Sequence, residues 1–122
     1  MASKTKTRTK SVRLRLRILR GSDIAIGPGK AELLAFVGET GSIGEAARRM
    51  DMSYMRAWKL IQTMNACFKE PLVLTARGGQ SGGGAELSET GRKALALYQE
   101  MEEASLVTIK KSWKQLQPLL RD

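Results

Sequence analysis

The stretch from Gly41 to Phe68 constrains this chain more than any other. It reads Gly-Ser-Ile-Gly-Glu-Ala-Ala-Arg-Arg-Met, then Asp-Met, then Ser-Tyr-Met-Arg-Ala-Trp-Lys-Leu-Ile-Gln-Thr-Met-Asn-Ala-Cys-Phe. Ser42 followed by Glu45 has the spacing of a capping box, which opens a helix. Ile43, Ala46, Ala47 and Met50 then share one helical face. Asp51-Met52 breaks the period, and Ser53 caps a second helix in which Ala57, Leu60, Ile61, Met64 and Phe68 recur at helical spacing. The opposite face carries Met55, Arg56, Lys59, Gln62 and Thr63. A short helix of small residues, a tight turn and a longer helix with a polar, basic outer face form a helix-turn-helix pattern. In that motif the second helix enters the major groove, its N-terminal residues nearest the bases. Paired amphipathic helices also occur in all-α domains that never touch DNA, so the rest of the chain carries the decision.

Charge is the next constraint. Residues 1–20 hold eight Lys or Arg and no acid, while the other 102 residues hold 13 basic and 12 acidic side chains. The net charge of +9 therefore describes a tail more than a body. Within 41–84, six basic residues face three acids, a local excess where a helix-turn-helix meets DNA. A polyanionic partner follows from the charge, though not its identity. The chain has no histidine, which removes the usual general base and the commonest metal ligand. Its single cysteine, Cys67, allows no intrachain disulfide and reads as an inert small residue. With no long apolar run and no signal core, a cytoplasmic, nucleoid-associated location is expected. No catalytic or metal-binding constellation can be assembled, so an enzyme is not expected.

In chain order, Met1–Ser11 is polar and aperiodic, and reads as a disordered basic arm. Val12–Arg20 alternates, with Val12, Leu14, Leu16 and Ile18 on one side and Arg13, Arg15 and Arg17 on the other, which predicts a half-buried strand. Gly21-Ser22-Asp23 is a turn, and Ile24-Ala25-Ile26 the second strand of a hairpin. The arginine row faces either DNA or the acids of a partner subunit; both readings stay open. Pro28 opens onto a first helix over Lys30–Thr40. After Glu70-Pro71, Leu72–Thr75 is a short strand, Ala76–Gly84 is glycine-rich, and Ala85–Leu87 is a return strand. That is a wing, with Arg77, Gly78 and Gly79 placed to follow a phosphate backbone. A nucleotide phosphate loop is excluded, because no Gly-Lys-Ser/Thr ending is present.

Ser88–Leu116 is the longest helix, stopped by Pro118. Leu95, Tyr98, Met101/Glu102, Leu106, Ile109, Trp113 and Leu116 run close to a 3-4 repeat, kept strictly by the last four, and Leu95, Tyr98, Leu106, Ile109, Trp113 and Leu116 are the predicted dimerisation seam. The expected architecture is mainly α with small β, an α+β winged helix-turn-helix with an N-terminal hairpin. Its parts are an arm over 1–11, the winged domain with its hairpin over 12–87, and a C-terminal dimerisation helix over 88–122.

Gly41-Ser42-Ile43, Ala46-Ala47, Met52-Ser53-Tyr54, Ala57-Trp58, Met64-Asn65, Gly78-Gly79, Gly82-Gly83-Gly84-Ala85, Leu87-Ser88 and Gly91 together resemble the N-terminal domain of ModE-type molybdate-responsive transcription regulators. The helix-turn-helix alone is shared more widely with LysR-type regulators. The resemblance covers about Gly27 to Tyr98 and implies a dimer that binds operator DNA. It places Ser53 and Tyr54 at the DNA; Met55, Arg56 and Lys59 join them by helical phase. Arg56 is the candidate for bidentate guanine or phosphate contact and Lys59 for phosphate. Tyr54 either reaches phosphate or packs. Ser42, Arg48 and Arg49 are candidates for backbone contact, the arginines being otherwise solvated charge. Trp58 reads as core that locks the two helices. Family members that sense molybdate do so in C-terminal MOP-type domains, and this chain ends at Asp122. The expectation is therefore a short form without its own molybdate-binding domain and with no cofactor. The alternatives are a non-specific nucleoid- or RNA-binding protein, and a molybdate sensor with an anion site at the dimer interface.

Overall fold

The structure is a computed structural model, and it describes residues 8–76 and 84–122. A hairpin of β1 (Ile18–Arg20) and β2 (Asp23–Ile26) comes first, followed by α1 (Pro28–Thr40), α2 (Ile43–Arg49) and α3 (Tyr54–Cys67). Strands β3 (Val73–Thr75) and β4 (Ala85–Leu87) make a second antiparallel pair, and α4 (Glu89–Leu116) closes the order with a 3-10 turn over Gln117–Leu119. This is the expected α+β winged helix-turn-helix with a long C-terminal helix.

The local chemistry explains the breaks. Pro28 sits in the first turn of α1, where a missing N–H costs nothing. Gly41 ends α1 at φ +70°, and its N–H donates to Val37 O at 2.8 Å. A residue with a Cβ is strained in that left-handed cap. Asp51 takes φ +56° in the turn between α2 and α3, a conformation that Asp tolerates better than most. Three serines cap three helices in the same way. Ser42, Ser53 and Ser88 each accept, at Oγ, the backbone N–H three residues on, from Glu45, Arg56 and Gly91.

The three helices and the wing strands close over one core. Leu33, Leu34 and Val37 of α1, Ala46 and Ala47 of α2, and Ala57, Ile61 and Met64 of α3 are buried there with Leu72, Val73, Leu87 and Tyr98. The alanines stand where α2 and α3 converge, so their backbones approach closely. Each large aliphatic side chain buried in this way contributes about 1.5–3 kcal/mol.

Two expectations need correction. The strand expected over Val12–Arg20 is a ladder only from Ile18. Register runs Ile18 to Ile26, Leu19 to Ile24 and Arg20 to Asp23, with a bulge after Ile18. Beyond Ile26 the chain turns at Gly27 into α1, so no strand remains for residues 12–17 to pair with. The alternation itself survives from Arg13 onward: Leu14, Leu16 and Ile18 are half-buried and Arg13, Arg15 and Arg17 exposed, whereas Val12, expected on the apolar side, is exposed. This extended segment runs beside α4 instead: Tyr98 Oη donates to Leu16 O at 2.6 Å, and Lys10 Nζ pairs with Asp122 at 3.1 Å. Residues 1–7 of the expected arm lie outside the described residues.

The second correction concerns the expected seam. Tyr98 is only 2% exposed and belongs to the core of its own protomer. Leu95 is half-buried against the same core. The 3-4 stripe enters the domain before it leaves it: α4 packs on α1 and β4 through its first half, and a helix of 28 residues then outruns the body.

Candidate functional site

The helix-turn-helix displays the residues that its phase predicts. On α3, Ala57, Ile61 and Met64 point inward, and Ser53, Tyr54, Met55, Arg56 and Lys59 are exposed. Ser53, Met55, Arg56, Lys59 and Thr63 line one shallow groove along the helix. The serine cap keeps the start of α3 formed, and this is the end that presents Met55 and Arg56. Among the described residues neither Arg56 nor Lys59 has an ion-pair partner.

The two arginines of α2 are placed differently. Arg48 pairs with Glu45 one turn earlier. That hydrogen bond, with the charge of Arg48, holds the Glu45 carboxyl below the ordinary carboxylate range, and raises Arg48 in return. Arg49 donates to Glu39 of α1 at 2.8 Å and lies over the Phe36 ring, 5.7 Å from its centroid. Both arginines are thus engaged within the protomer, and Arg49 ties α2 to α1. Ser42 Oγ is occupied in capping. A Cβ added at Gly44 would stand 3.8 Å from the Tyr54 ring, so Tyr54 lies beside the start of α2 with half its surface open.

Trp58 corrects the expectation of a locking core residue. It is 39% exposed. It stands one turn after Tyr54, about a quarter-turn off the buried direction, so both rings are exposed on the same side of α3. Helical phase carried that signal; the apolar character of Trp obscured it.

The wing is rooted where the sequence placed it. Val73 pairs with Leu87, Leu74 with Glu86 and Thr75 with Ala85. Ala76 N donates to Gly84 O, and Ala85 N to Gly41 O, which fastens the wing to the loop that opens α2. Arg77, Gly78 and Gly79 lie outside the described residues.

On α4 the second half carries the exposed apolar surface. Leu106 is 44%, Val107 70% and Leu116 52% exposed, with Ile109 and Trp113 half-buried between them. Met101, at the Met101/Glu102 step of the stripe, and Leu97, outside it, are also exposed. They border an apolar cleft of about 340 Å³ whose other walls include Ile18, Ile26 and Phe68. Among the described residues, no group of three or more Cys, Asp or Glu is arranged to hold a metal ion. No helix among them is long and apolar enough to cross a membrane.

Comparison with known proteins agrees with this geometry. No family model matches the chain. It is 41% identical over 85 residues to the molybdenum-pterin-binding protein MopB of Rhodobacter capsulatus, which covers 70% of this chain and 32% of that protein. It is 41% identical over 71 residues to the transcriptional regulator ModE of Yersinia pestis, covering 58% of this chain and 27% of the relative. The chain spans about a third of the length of the curated relatives it matches. In structure it resembles the protein of a CbnR_DBD-DNA complex, with a TM-score of 0.54 at 21% identity over 70% of this chain and 92% of that one. VV2_1132, a LysR family transcriptional regulator, matches at a TM-score of 0.51 and 21% identity, over 70% of this chain and 27% of that one. The resemblance to ModE-type regulators therefore holds in sequence, and that to LysR-type DNA-binding domains in fold.

Proposed function

We propose that this chain acts as a ModE-type transcription regulator, binding operator DNA as a homodimer and reading each half-site with α3 and its wing. The observation that carries this reading is the outer face of α3: Arg56 and Lys59 stand exposed, with no ion-pair partner among the described residues, at the serine-capped end of the second helix of a helix-turn-helix. The relatives named as transcriptional regulators support it. Arg56 supplies the bidentate contact to a base edge or phosphate, Lys59 a phosphate contact, and Met55 an apolar contact to a thymine methyl. Leu106 and Leu116, with Ile109 and Trp113 between them on the same face, supply a seam for the second subunit, on a helix that spans roughly 42 Å. Two reading heads then meet half-sites about one duplex turn apart. We read the protein as a cytoplasmic binding protein without enzymatic activity and without a cofactor of its own.

The test is selection of bound sequences from a random duplex library at near-physiological salt, with and without molybdate. A two-fold-symmetric site is the expected result, unchanged by molybdate. Binding with no enriched sequence overturns the reading in favour of a non-specific basic protein. In that case deletion of residues 1–11, which removes four of the nine net positive charges, abolishes binding. A molybdate-dependent shift in affinity overturns the absence of an effector site.

A further inference from the structure

One main-chain residue, Leu72, is gripped from both sides. From α3, Asn65 Oδ1 accepts the N–H of Leu72 at 2.8 Å and that of Val73 at 3.2 Å, while Asn65 Nδ2 donates to Val73 O at 3.2 Å. The amide side chain thus behaves as a short strand at the entrance of β3. From α4, Ser88 N donates to Leu72 O at 2.8 Å and Ser88 Oγ to Pro71 O at 2.6 Å. One turn further, Gly91 lies so close that a Cβ there would stand 2.1 Å from Leu72 O. Leu72 itself is fully buried, so the junction sits on the core.

The reading helix, the wing root and the long helix therefore meet at a single peptide. Resting on the dimeric DNA-reading assignment above, we propose that this junction of Asn65, Leu72, Ser88 and Gly91 sets the spacing of half-sites that the dimer accepts. The three side-chain positions are positioning elements; none of them is placed to touch DNA. The lever is long. With α4 spanning roughly 42 Å, a tilt of about 10° at its root displaces its far end by about 7 Å. That is about two base-pair steps of a duplex rising ~3.4 Å each. A loose junction lets the two reading heads move apart at little cost. A tight one makes the protein reject half-sites moved by one step.

Two variants test this without a forced clash. Asn65→Ala removes the grip from α3, and Ser88→Ala removes the Oγ part of the grip from α4 while the main-chain bond of residue 88 to Leu72 O remains. Asn65→Asp is the conservative partner, because a carboxylate oxygen still accepts from Leu72 and Val73. Binding is measured to duplexes carrying the wild-type half-sites at the selected spacing and at spacings longer or shorter by one and two base pairs. Thermal melting and sedimentation establish that each variant is folded and dimeric. For the wild type, discrimination against a one-step change is expected to be about tenfold, comparable to one mismatched base pair. In Asn65→Ala it falls toward unity, in Ser88→Ala part of the way, and Asn65→Asp restores much of it. Base preference within each half-site stays as in the wild type. An unchanged spacing profile in folded, dimeric Asn65→Ala and Ser88→Ala overturns the proposal. So does a parallel loss of base preference and spacing, which is the signature of a merely structural role. If the wild type itself selects no two-fold site, the dimeric reading fails first and this inference with it; if it selects one and the variants keep its spacing, only the inference fails.

Discussion

Helices α3 and α4 begin alike and end differently. Each starts at a serine that caps the third following N–H, and each sends an apolar stripe into the same core. In α3 the stripe ends with the helix, at 14 residues, and the outer face carries Arg56, Lys59, Gln62 and Thr63 beside the exposed Tyr54, Met55 and Trp58. In α4 the stripe continues past the domain, and Leu106 and Leu116 stay open on a helix whose other faces carry charges such as Lys110 and Lys114. The same amphipathic device thus yields a basic outer face in one helix and an uncovered apolar stripe in the other. What an amphipathic helix does beyond folding is written in the residues its own core does not use.

That contrast can be broken at each helix separately. The largest effect is expected on α4. Leu106→Asp with Leu116→Asp removes two apolar side chains that the protomer leaves open, each worth about 1.5–3 kcal/mol when buried by a partner. The dimer dissociation constant should rise by at least about a hundredfold in sedimentation equilibrium, with circular dichroism unchanged. An unchanged constant puts the seam elsewhere, the cleft beside Leu97 and Met101 being the first place to look.

On α3, Arg56→Ala should cost about 1–3 kcal/mol in DNA affinity and relax base preference at one position. Lys59→Ala should weaken binding to all duplexes alike and flatten the salt dependence by about one counterion. If the two substitutions behave identically, Arg56 meets phosphate and not a base. Ser53→Ala acts one step further back, on the start of α3, and should lower folding stability by about 1 kcal/mol in denaturant titration. Ser42→Ala is its internal comparison, since it removes the matching cap from α2.

The smallest effect separates the two halves of α4. Tyr98 is buried, and burial, reinforced by Glu102, raises its hydroxyl above the ordinary tyrosine range. The folded state thus favours the protonated form. Stability is fully present below the unfolded value and is lost as pH rises from there through the folded one. Tyr98→Phe should remove that alkaline loss and cost about 0.5–1.5 kcal/mol at neutral pH through the bond to Leu16 O. Alkaline denaturation curves of both proteins check the sign.

The sequence made the helix-turn-helix legible because capping and phase are local rules. Ser42, Ser53 and Ser88 each act within one turn, and Ala57, Ile61 and Met64 follow from period alone. What it obscured depends on neighbours. Alternation over Val12–Arg20 reports a half-buried extended chain, but not whether a strand is there to pair with it. The stripe on α4 reports an apolar face, but not where the domain ends beneath it, so Tyr98 was assigned to a partner instead of its own core. Trp58 shows the reverse error, with residue type overriding phase. Asn65 enters the sequence reading only as part of the Met64-Asn65 match, with no hint of its role, because its partners at Leu72 and Val73 are met only after the chain turns back.

The inward and outward residues of α3 are different residues, and they answer to different pressures. Ala57, Ile61 and Met64 hold the scaffold; Met55, Arg56 and Lys59 are exposed and take no place in the buried core. Exchanging the second set costs the fold little, since surface substitutions usually change stability by less than about 0.5 kcal/mol. On the proposed reading, a gene of this design is free to drift toward new operators by a few point changes while its protein stays intact. The same separation makes α3 a place where an engineer can rewrite recognition and leave the rest of the chain untouched.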